Sequence, residues 1–265
     1  MHQVDAFADR PFAGNPAAVV ILDDWLAEPT MGAIAAENNL PETAFARRRP
    51  DGDWDLRWFT PTQEVDFCGH ATLATAHVLM AEDGHDGPVS FHARVGTLRV
   101  ARDGGGYAMD VPSLPPDALD DPPPELDGAF DRPPHALFRN FENLFADLGS
   151  EGAVRAFVPD LPRLTRLGRM GLCVTGRGDA ASGADFVSRY FAPGGGIPED
   201  PVTGSTHATL VPYWSERLGR TSLRAHQASA RGGWLDCDLS GSRVTLRGRA
   251  VTFLAGHVRL PPDMG

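Results

Sequence analysis

The chain contains no lysine. All 24 of its basic residues are arginine, in a sequence of 265 residues. A pyridoxal-phosphate Schiff base, a lysine-type aldolase and a Walker-A phosphate loop each need a lysine amine. The sequence therefore excludes these three chemistries.

Cysteine is scarce, and long apolar runs are absent. Cys68, Cys173 and Cys237 are an odd set without a CxxC pair, so we expect neither a disulfide framework nor a structural zinc site. Because no run of about 18 apolar residues exists, we expect no membrane-spanning helix. Residues 1–5 are neither basic nor apolar enough for a signal peptide, so we expect a cytoplasmic protein.

Positive charge is also low, since the formal net charge is −11. Nucleic acids and anionic membranes need clustered positive charge, so we expect neither as a partner. The composition, 42% hydrophobic and 22% charged, is that of an ordinary globular protein. A small anionic substrate remains compatible, because the amino end of a helix carries about half a unit of positive charge.

Two segments far apart in the chain have matching patterns. Residues 66–73 read DFCGHATL, and residues 199–210 read EDPVTGSTHATL. Each passes from acidic and turn residues through a glycine into a small-residue, helix-forming stretch. The start of a helix leaves backbone N–H groups unpaired, and glycine lets a ligand approach them closely. We therefore expect two helix starts that cradle a small anion, with His70 and Asp200 beside it.

The two halves of the chain resemble an internal repeat. In each half, strands are followed by one glycine-initiated helix and then by a strand meander. We align the two halves by matching Gly69 with Gly204 rather than by matching the shared HATL tetrapeptides. The predicted domains are residues 1–115 and 129–265, with the last strand a candidate to complete the first domain. The proline-rich residues 116–128 are the predicted linker.

Several side chains at these segments are candidates for acid/base chemistry or binding, and each also has a purely structural interpretation. Glu42, at an apolar strand edge, can act as a general base or can be a solvated loop residue. His70 can hydrogen-bond a substrate and move a proton, or can cap or pack its helix. Asp200 can be a second acid/base or a turn residue before a proline. Gly204 and Ser205 can bind a carboxylate or cap the helix.

Two other chemistries have less support. Cofactor-independent racemases use two thiols on opposite faces of a carbon acid, and Cys68 can be one of them. Its partner is missing, because Cys173 and Cys237 fall in predicted strands away from the helix start. The nine histidines are scattered without a His-Glu-x-x-His motif, so we expect no metal site.

Five segments together resemble the phenazine-biosynthesis PhzF family, which has the diaminopimelate-epimerase-like fold. They are FAGNP at 12–16, ETAF at 42–45, RWFTP at 57–61, DFCGHAT at 66–72 and GIPEDPVTGS at 196–205. The resemblance implies an α+β protein of two similar domains, each a mostly antiparallel sheet curled around a central helix. It also implies an active site in the cleft between the domains, a homodimer, and an isomerase that needs no cofactor.

The resemblance also implies roles for individual residues. Glu42 matches the proton-transfer glutamate of the family. The residues that match those surrounding the substrate are His70, Asp200 and Ser205, and those that present backbone N–H groups are Gly69 and Gly204. Pro41 stands where the family commonly has serine, and this departure bears on how Glu42 is oriented.

The sequence therefore favours a cofactor-independent isomerase that moves a proton on a small carboxylated carbon acid by carboxylate acid/base catalysis. One alternative is a racemase or epimerase that uses Cys68 as one acid/base. The other is a non-catalytic protein that binds a small acid.

Overall fold

A computed structural model describes residues 1–261, which form two compact units. The first unit comprises Met1–Asp110 and the C-terminal segment from Arg247, and the second comprises Val111–Leu246. Each unit is an α+β structure built mainly from antiparallel strands. Among the described residues, no helix is long and apolar enough to cross a membrane.

The strands are β1 (His2–Ala6), β2 (Asn15–Leu22), β3 (Glu42–Arg48), β4 (Trp54–Phe59), β5 (Glu64–Val65), β6 (Val89–Ala93), β7 (Gly96–Asp103), β8 (Gly106–Pro112), β9 (Asp117–Ala118), β10 (Ala136–Arg139), β11 (Asn143–Ser150), β12 (Gly171–Arg177), β13 (Phe186–Ala192), β14 (Ile197–Asp200), β15 (Ser222–Gln227), β16 (Gly233–Ser240), β17 (Arg243–Gly248) and β18 (Ala250–Ala255). The α-helices are α1 (Glu28–Asn38), α2 (Gly69–His77), α3 (Glu151–Ala156), α4 (Leu161–Leu164) and α5 (Gly204–Leu218).

The first unit contains a mixed set of strands around one buried helix. Strand β1 pairs antiparallel with β2 and β18, and β2 runs parallel to β3. Strand β3 is antiparallel to β4, which runs parallel to β6, and β6, β7 and β8 form an antiparallel meander. Helix α2 contacts β1, β2, β3 and β18. All nine of its residues are buried, which explains why the sequence shows apolar residues on most of its sides.

The second unit repeats this strand order. Strand β11 runs parallel to β12, β12 is antiparallel to β13, β13 runs parallel to β15, and β15 is antiparallel to β16. These pairings match β2, β3, β4, β6 and β7 of the first unit one for one. Helix α5 precedes β15 as α2 precedes β6, and both helices begin on a glycine, Gly69 and Gly204. The glycine alignment of the two halves is therefore confirmed.

The boundaries between the units differ from the prediction. The division falls after Asp110 rather than after residue 115. Strand β18 belongs to the first unit, in agreement with the last strand as a candidate to complete that domain. Residues 116–128 lie inside the second unit instead of forming a separate linker. Leu126 is only 5% exposed and packs in the core with Leu144, Leu164 and Phe191. The prolines of this stretch are compatible with its extended segments and with the short 3₁₀ turn Pro124–Leu126. The buried leucine packs this stretch against the core.

The two helix-forming stretches expected after Gly69 and Gly204 are helices. The first is α2, followed by a π-helical turn, Val78–Glu82. The second is α5, which runs through Pro212 without ending there.

Candidate active site

Two polar residues of the first unit lie at the same edge of its sheet. Strand β2 begins at Asn15 and strand β3 begins at Glu42, and Ala17 is paired with Glu42 across the parallel ladder. Parallel strands bring their amino ends to one edge, so the side chains of Asn15 and Glu42 start from neighbouring positions. Glu42 is 9% exposed and Asn15 is fully buried. The interpretation of Glu42 as a solvated loop residue is therefore wrong.

The turn before β2 requires glycine at position 14. Gly14 has φ +63°, and an added Cβ would lie 2.1 Å from the carbonyl oxygen of Ala6. Two residues earlier, Phe12 also has a positive φ, and its backbone N–H donates to the carboxylate of the buried Asp5. This tight turn delivers Asn15 to the edge of the sheet.

His70, the second residue of α2, makes the central contacts of this cluster. Its Nε2 lies 3.1 Å from Oε2 of Glu42, and its Nδ1 lies 3.1 Å from the amide nitrogen of Asn15. Sγ of Cys68, the residue before α2, lies 3.4 Å from the same Nδ1. His70 and Cys68 are 4% and 6% exposed. The structure thus brings Glu42 and His70 together, and it adds Asn15 and Cys68.

Burial and charge oppose one another at His70. Burial disfavours the imidazolium, but the charge of Glu42 and the hydrogen bonds with Cys68 and Glu42 outweigh it and raise the pKa of His70 well above its ordinary value. For Cys68, burial and the charge of Glu42 raise the pKa to about 11. Cys68 is therefore a neutral thiol near neutral pH, which makes it a poor base beside Glu42.

A second cluster, in the second unit, contains Asp200. This residue ends β14 and is 7% exposed, and its side chain accepts a hydrogen bond from the hydroxyl of Thr203. The fully buried amide of Gln227 donates to the backbone carbonyl of Asp200 (2.9 Å) and accepts from the backbone N–H of Thr203 (2.8 Å). Asp200 is thus held by a hydrogen-bonded network.

The start of α5 differs from the capping interpretation of Ser205. Thr203 occupies the N-cap position, Gly204 is the first helical residue and Ser205 is the second, half-buried in the first turn. Thr203 at the N-cap of α5 and Cys68 at the N-cap of α2 make no side-chain capping hydrogen bond of the usual kind. Backbone N–H groups at the start of a helix are suited to an anionic ligand.

His207 shows that the two HATL tetrapeptides are not equivalent. Its Nδ1 lies 2.9 Å from the carbonyl oxygen of Thr203, and the ring is fully buried near Phe186. Burial lowers the pKa of His207 to about 4, so the ring is neutral at physiological pH. His207 is a buried helix residue, whereas His70 contacts a carboxylate.

The comparisons with known proteins agree with this architecture. The family model described as "Phenazine biosynthesis-like protein" matches residues 4–256. The chain belongs to the PhzF family. Among PhzF relatives, an uncharacterized isomerase of Pseudomonas aeruginosa is 49% identical, and the match covers 98% of both chains.

Solved structures extend the comparison of this PhzF chain. A phenazine biosynthesis protein of the PhzF family from Enterococcus faecalis is 42% identical with a TM-score of 0.91, covering 98% of both chains. A probable proline racemase from Agrobacterium radiobacter has a TM-score of 0.62 at 15% identity, covering 98% of this chain and 93% of the racemase. This distant likeness shows a shared fold alone.

Sequence reasoning did not assign a role to Asn15 or Gln227. Asn15 stands inside the FAGNP segment, but its contact with His70 spans 55 residues. Gln227 carries no local motif, and it reaches Thr203 across 24 residues because β15 lies beside β13. Both contacts depend on strand pairing.

Proposed function

We propose that this protein is a cofactor-independent isomerase that moves a proton on a small carboxylated carbon acid. The contact of 3.1 Å between Glu42 and His70, buried at the amino end of α2, carries the proposal. Membership of the PhzF family and the naming of a 49%-identical relative as an isomerase support it.

In the proposed mechanism, the carboxylate of Glu42 removes a proton from a carbon next to a carbonyl or a double bond. The electron pair left on that carbon delocalises into the unsaturated group, and the substrate carries the negative charge. His70 donates to Glu42 and orients the carboxylate toward the carbon acid. Protonated Glu42 then returns the proton to a different atom of the substrate. Alternatively, Asp200 in its acid form donates a proton there, while Glu42 loses its proton to water and Asp200 regains one from water, so that the net change is again an isomerisation.

Negative charge is proposed to be stabilised at the two helix starts. The backbone N–H groups of the first turns of α2 and α5, with the hydroxyl of Ser205, are proposed to bind the substrate carboxylate and the developing charge. This step requires both units to contribute to one site, in a cleft between them. That arrangement is part of the proposal.

Glu42 is a better candidate base than Cys68. The raised pKa of Cys68, about 11, leaves little thiolate at neutral pH, whereas a racemase of the two-thiol type needs one thiolate as base. A carboxylate-based proton transfer therefore fits the first-unit cluster better than thiol chemistry.

A screen of small-acid metabolites in D₂O tests the proposal. Active enzyme is expected to introduce deuterium into at least one small carboxylic acid and to convert it into an isomer, and heat-inactivated enzyme is not. Saturable binding of an acid without deuterium incorporation would replace the isomerase by the alternative of a binding protein. Exchange lost in Cys68→Ala but kept in Glu42→Gln would favour the racemase instead.

A homodimer in the cytoplasm completes the proposal, on the basis of the family resemblance. The first unit exposes Phe12 and Phe253, whose rings meet edge to face at 5.3 Å. An exposed aromatic pair of this kind is compatible with a subunit contact. Sedimentation equilibrium is expected to give twice the mass of one chain. The mass of a single chain would contradict the proposed homodimer.

A further inference from the structure

Three buried side chains of the first unit direct metal-ligand atoms toward one point. A carboxylate oxygen of Glu42, Sγ of Cys68 and a ring nitrogen of His70 all lie within 4.8 Å of one another. We propose that these residues form a site for Zn²⁺ or a similar thiophilic divalent cation, and that the bound ion inhibits the enzyme. Although the sequence led us to expect no metal site, the fold assembles this ligand set from β3 and the start of α2.

The donor set fits zinc. Thiolate sulfur, imidazole nitrogen and carboxylate oxygen are the three ligand types that Zn²⁺ takes in proteins. A thiolate ligand selects against Mg²⁺ and Ca²⁺, which prefer oxygen. Three protein ligands leave a fourth position for water, as in open zinc sites.

Two of the three distances between ligand atoms approach those of a tetrahedral site, and the third is no more than 4.8 Å. Nε2 of His70 lies 3.1 Å from Oε2 of Glu42 and 4.0 Å from Sγ of Cys68. Bonds of about 2.0–2.3 Å at a tetrahedral angle place neighbouring ligand atoms roughly 3.3–3.6 Å apart. Small side-chain movements therefore suffice, and binding displaces the thiol proton and the proton on Nε2.

A second layer of contacts is also present. Metal-bound histidines usually have a hydrogen-bond partner on the other ring nitrogen, which fixes the ring orientation. The side-chain amide of Asn15 lies 3.1 Å from Nδ1 of His70, on the ring nitrogen that would not bind the ion. With Nε2 as the ligand, Nδ1 carries the ring proton, and a half-turn of the Asn15 amide would bring its oxygen into position to accept from Nδ1–H.

A second group of ligand-type residues in the first unit is a weaker candidate and serves as a control. Asp51, Asp53 and His92 also have ligand atoms within 4.8 Å, but they are exposed or half-buried and include no thiol. The guanidinium of Arg49 lies 3.2 Å from the carboxylate of Asp51, where it repels a cation.

The bound ion is expected to inhibit the isomerase because its ligands are the proposed catalytic residues. This part of the inference rests on the proposed function. A bound cation would occupy the carboxylate of Glu42, which is proposed to receive the proton. It would also occupy Nε2 of His70, which is proposed to orient that carboxylate. Metal binding itself does not depend on that reaction. The two parts can therefore fail separately.

The test is metal binding by the purified full-length chain after removal of metal with a chelator. Titration with Co²⁺ is expected to produce a thiolate-to-cobalt charge-transfer band in the near ultraviolet, with one ion per chain. Competition with a chromophoric chelator gives the Zn²⁺ affinity. Cys68→Ala is expected to weaken it at least about 100-fold, since loss of an outer-layer partner alone costs 10–100-fold. The matched thiol control, Cys173→Ala, and the surface control, His92→Gln, are expected to bind Zn²⁺ as tightly as the wild type.

Three results would overturn the site. They are no charge-transfer band in the folded wild type, equal Zn²⁺ affinity in wild type and Cys68→Ala, or loss of binding in His92→Gln. The spectrum of the wild type decides the matter even if a variant fails to fold. No substrate is used, so an inactive but metal-binding protein would contradict the proposed isomerase and leave the metal site standing. In a protein that exchanges deuterium, exchange unaffected by one bound Zn²⁺ would overturn the inhibition.

Discussion

Nε2 of His70 lies 3.1 Å from Oε2 of Glu42, in a region where both side chains are buried. A buried imidazolium beside a carboxylate is stabilised by that charge, and the carboxylate is oriented by the ring. The pair thus combines a candidate base with a group that positions it.

We predict that replacing Glu42 lowers the pKa of His70. The charge of Glu42, with the hydrogen bonds to Glu42 and Cys68, holds this pKa well above the ordinary value against the effect of burial. In Glu42→Gln the carboxylate charge is lost, so the ring should titrate at lower pH in an NMR titration. Glu37→Gln, an exposed change on α1, should leave the titration unchanged. An unchanged pKa of His70 in Glu42→Gln would show that the two groups do not interact.

We predict opposite effects of alanine at two glycines of the first unit. At Gly14, positive φ and a Cβ only 2.1 Å from the Ala6 carbonyl oxygen should make Gly14→Ala lose at least about 2 kcal/mol in the free energy of unfolding. Gly32 lies in α1, and an added Cβ meets nothing within 4 Å. Gly32→Ala should therefore gain roughly 0.5–1 kcal/mol. Urea unfolding of the two variants measures both, and equal effects would refute the account of the turn.

We predict that Gln227→Leu weakens the Asp200 network. The change leaves the backbone N–H of Thr203 and the carbonyl of Asp200 without their amide partner. A buried polar group left unpaired costs about 1–3 kcal/mol, so the free energy of unfolding should fall by at least about 1 kcal/mol. Gln63→Leu, at an exposed position, should change it by less than about 0.5 kcal/mol. Similar unfolding midpoints for the two variants would contradict this role of Gln227.

We predict a loss of stability in acid that depends on His207. Its pKa is about 4 in the folded state and near 6.5 when unfolded, so the unfolded chain binds more protons between these values. The free energy of unfolding should therefore fall as pH decreases from about 6.5 to 4, by about 3 kcal/mol from this group. In His207→Leu this part of the pH dependence should disappear. His226, whose pKa is also lowered to about 4 mainly by burial, keeps its own contribution of the same sign. An identical pH dependence in wild type and variant would show that His207 is not buried as described.

The sequence predicted the elements whose signals are local. The strand meander of β6, β7 and β8 and the glycine starts of α2 and α5 depend on neighbouring residues. The parallel pairing of β2 with β3 leaves no such signal, because it joins strands on either side of α1. For the same reason the sequence identified Glu42 and His70 individually, whereas the 3.1 Å contact between them follows only from the fold.

The proline-rich segment shows that composition alone does not distinguish a linker from a segment packed in a domain. Residues 116–128 have the composition of a linker, yet one apolar residue, Leu126, is buried in the core of the second unit. Composition averages over a segment, whereas burial is decided by single side chains and their neighbours. The position of the unit boundary, after Asp110, therefore needed the contacts of the folded chain.

The most direct test of the account is the rate of solvent-deuterium incorporation by Glu42→Gln, with an acid that the wild type exchanges in D₂O. A positioned acid/base contributes about 10²–10⁴-fold, so the rate should fall by at least about 100-fold, while Glu37→Gln retains the wild-type rate. Circular dichroism checks that both variants are folded. Exchange by folded Glu42→Gln at a rate close to that of the wild type would contradict the assignment of Glu42 as the base.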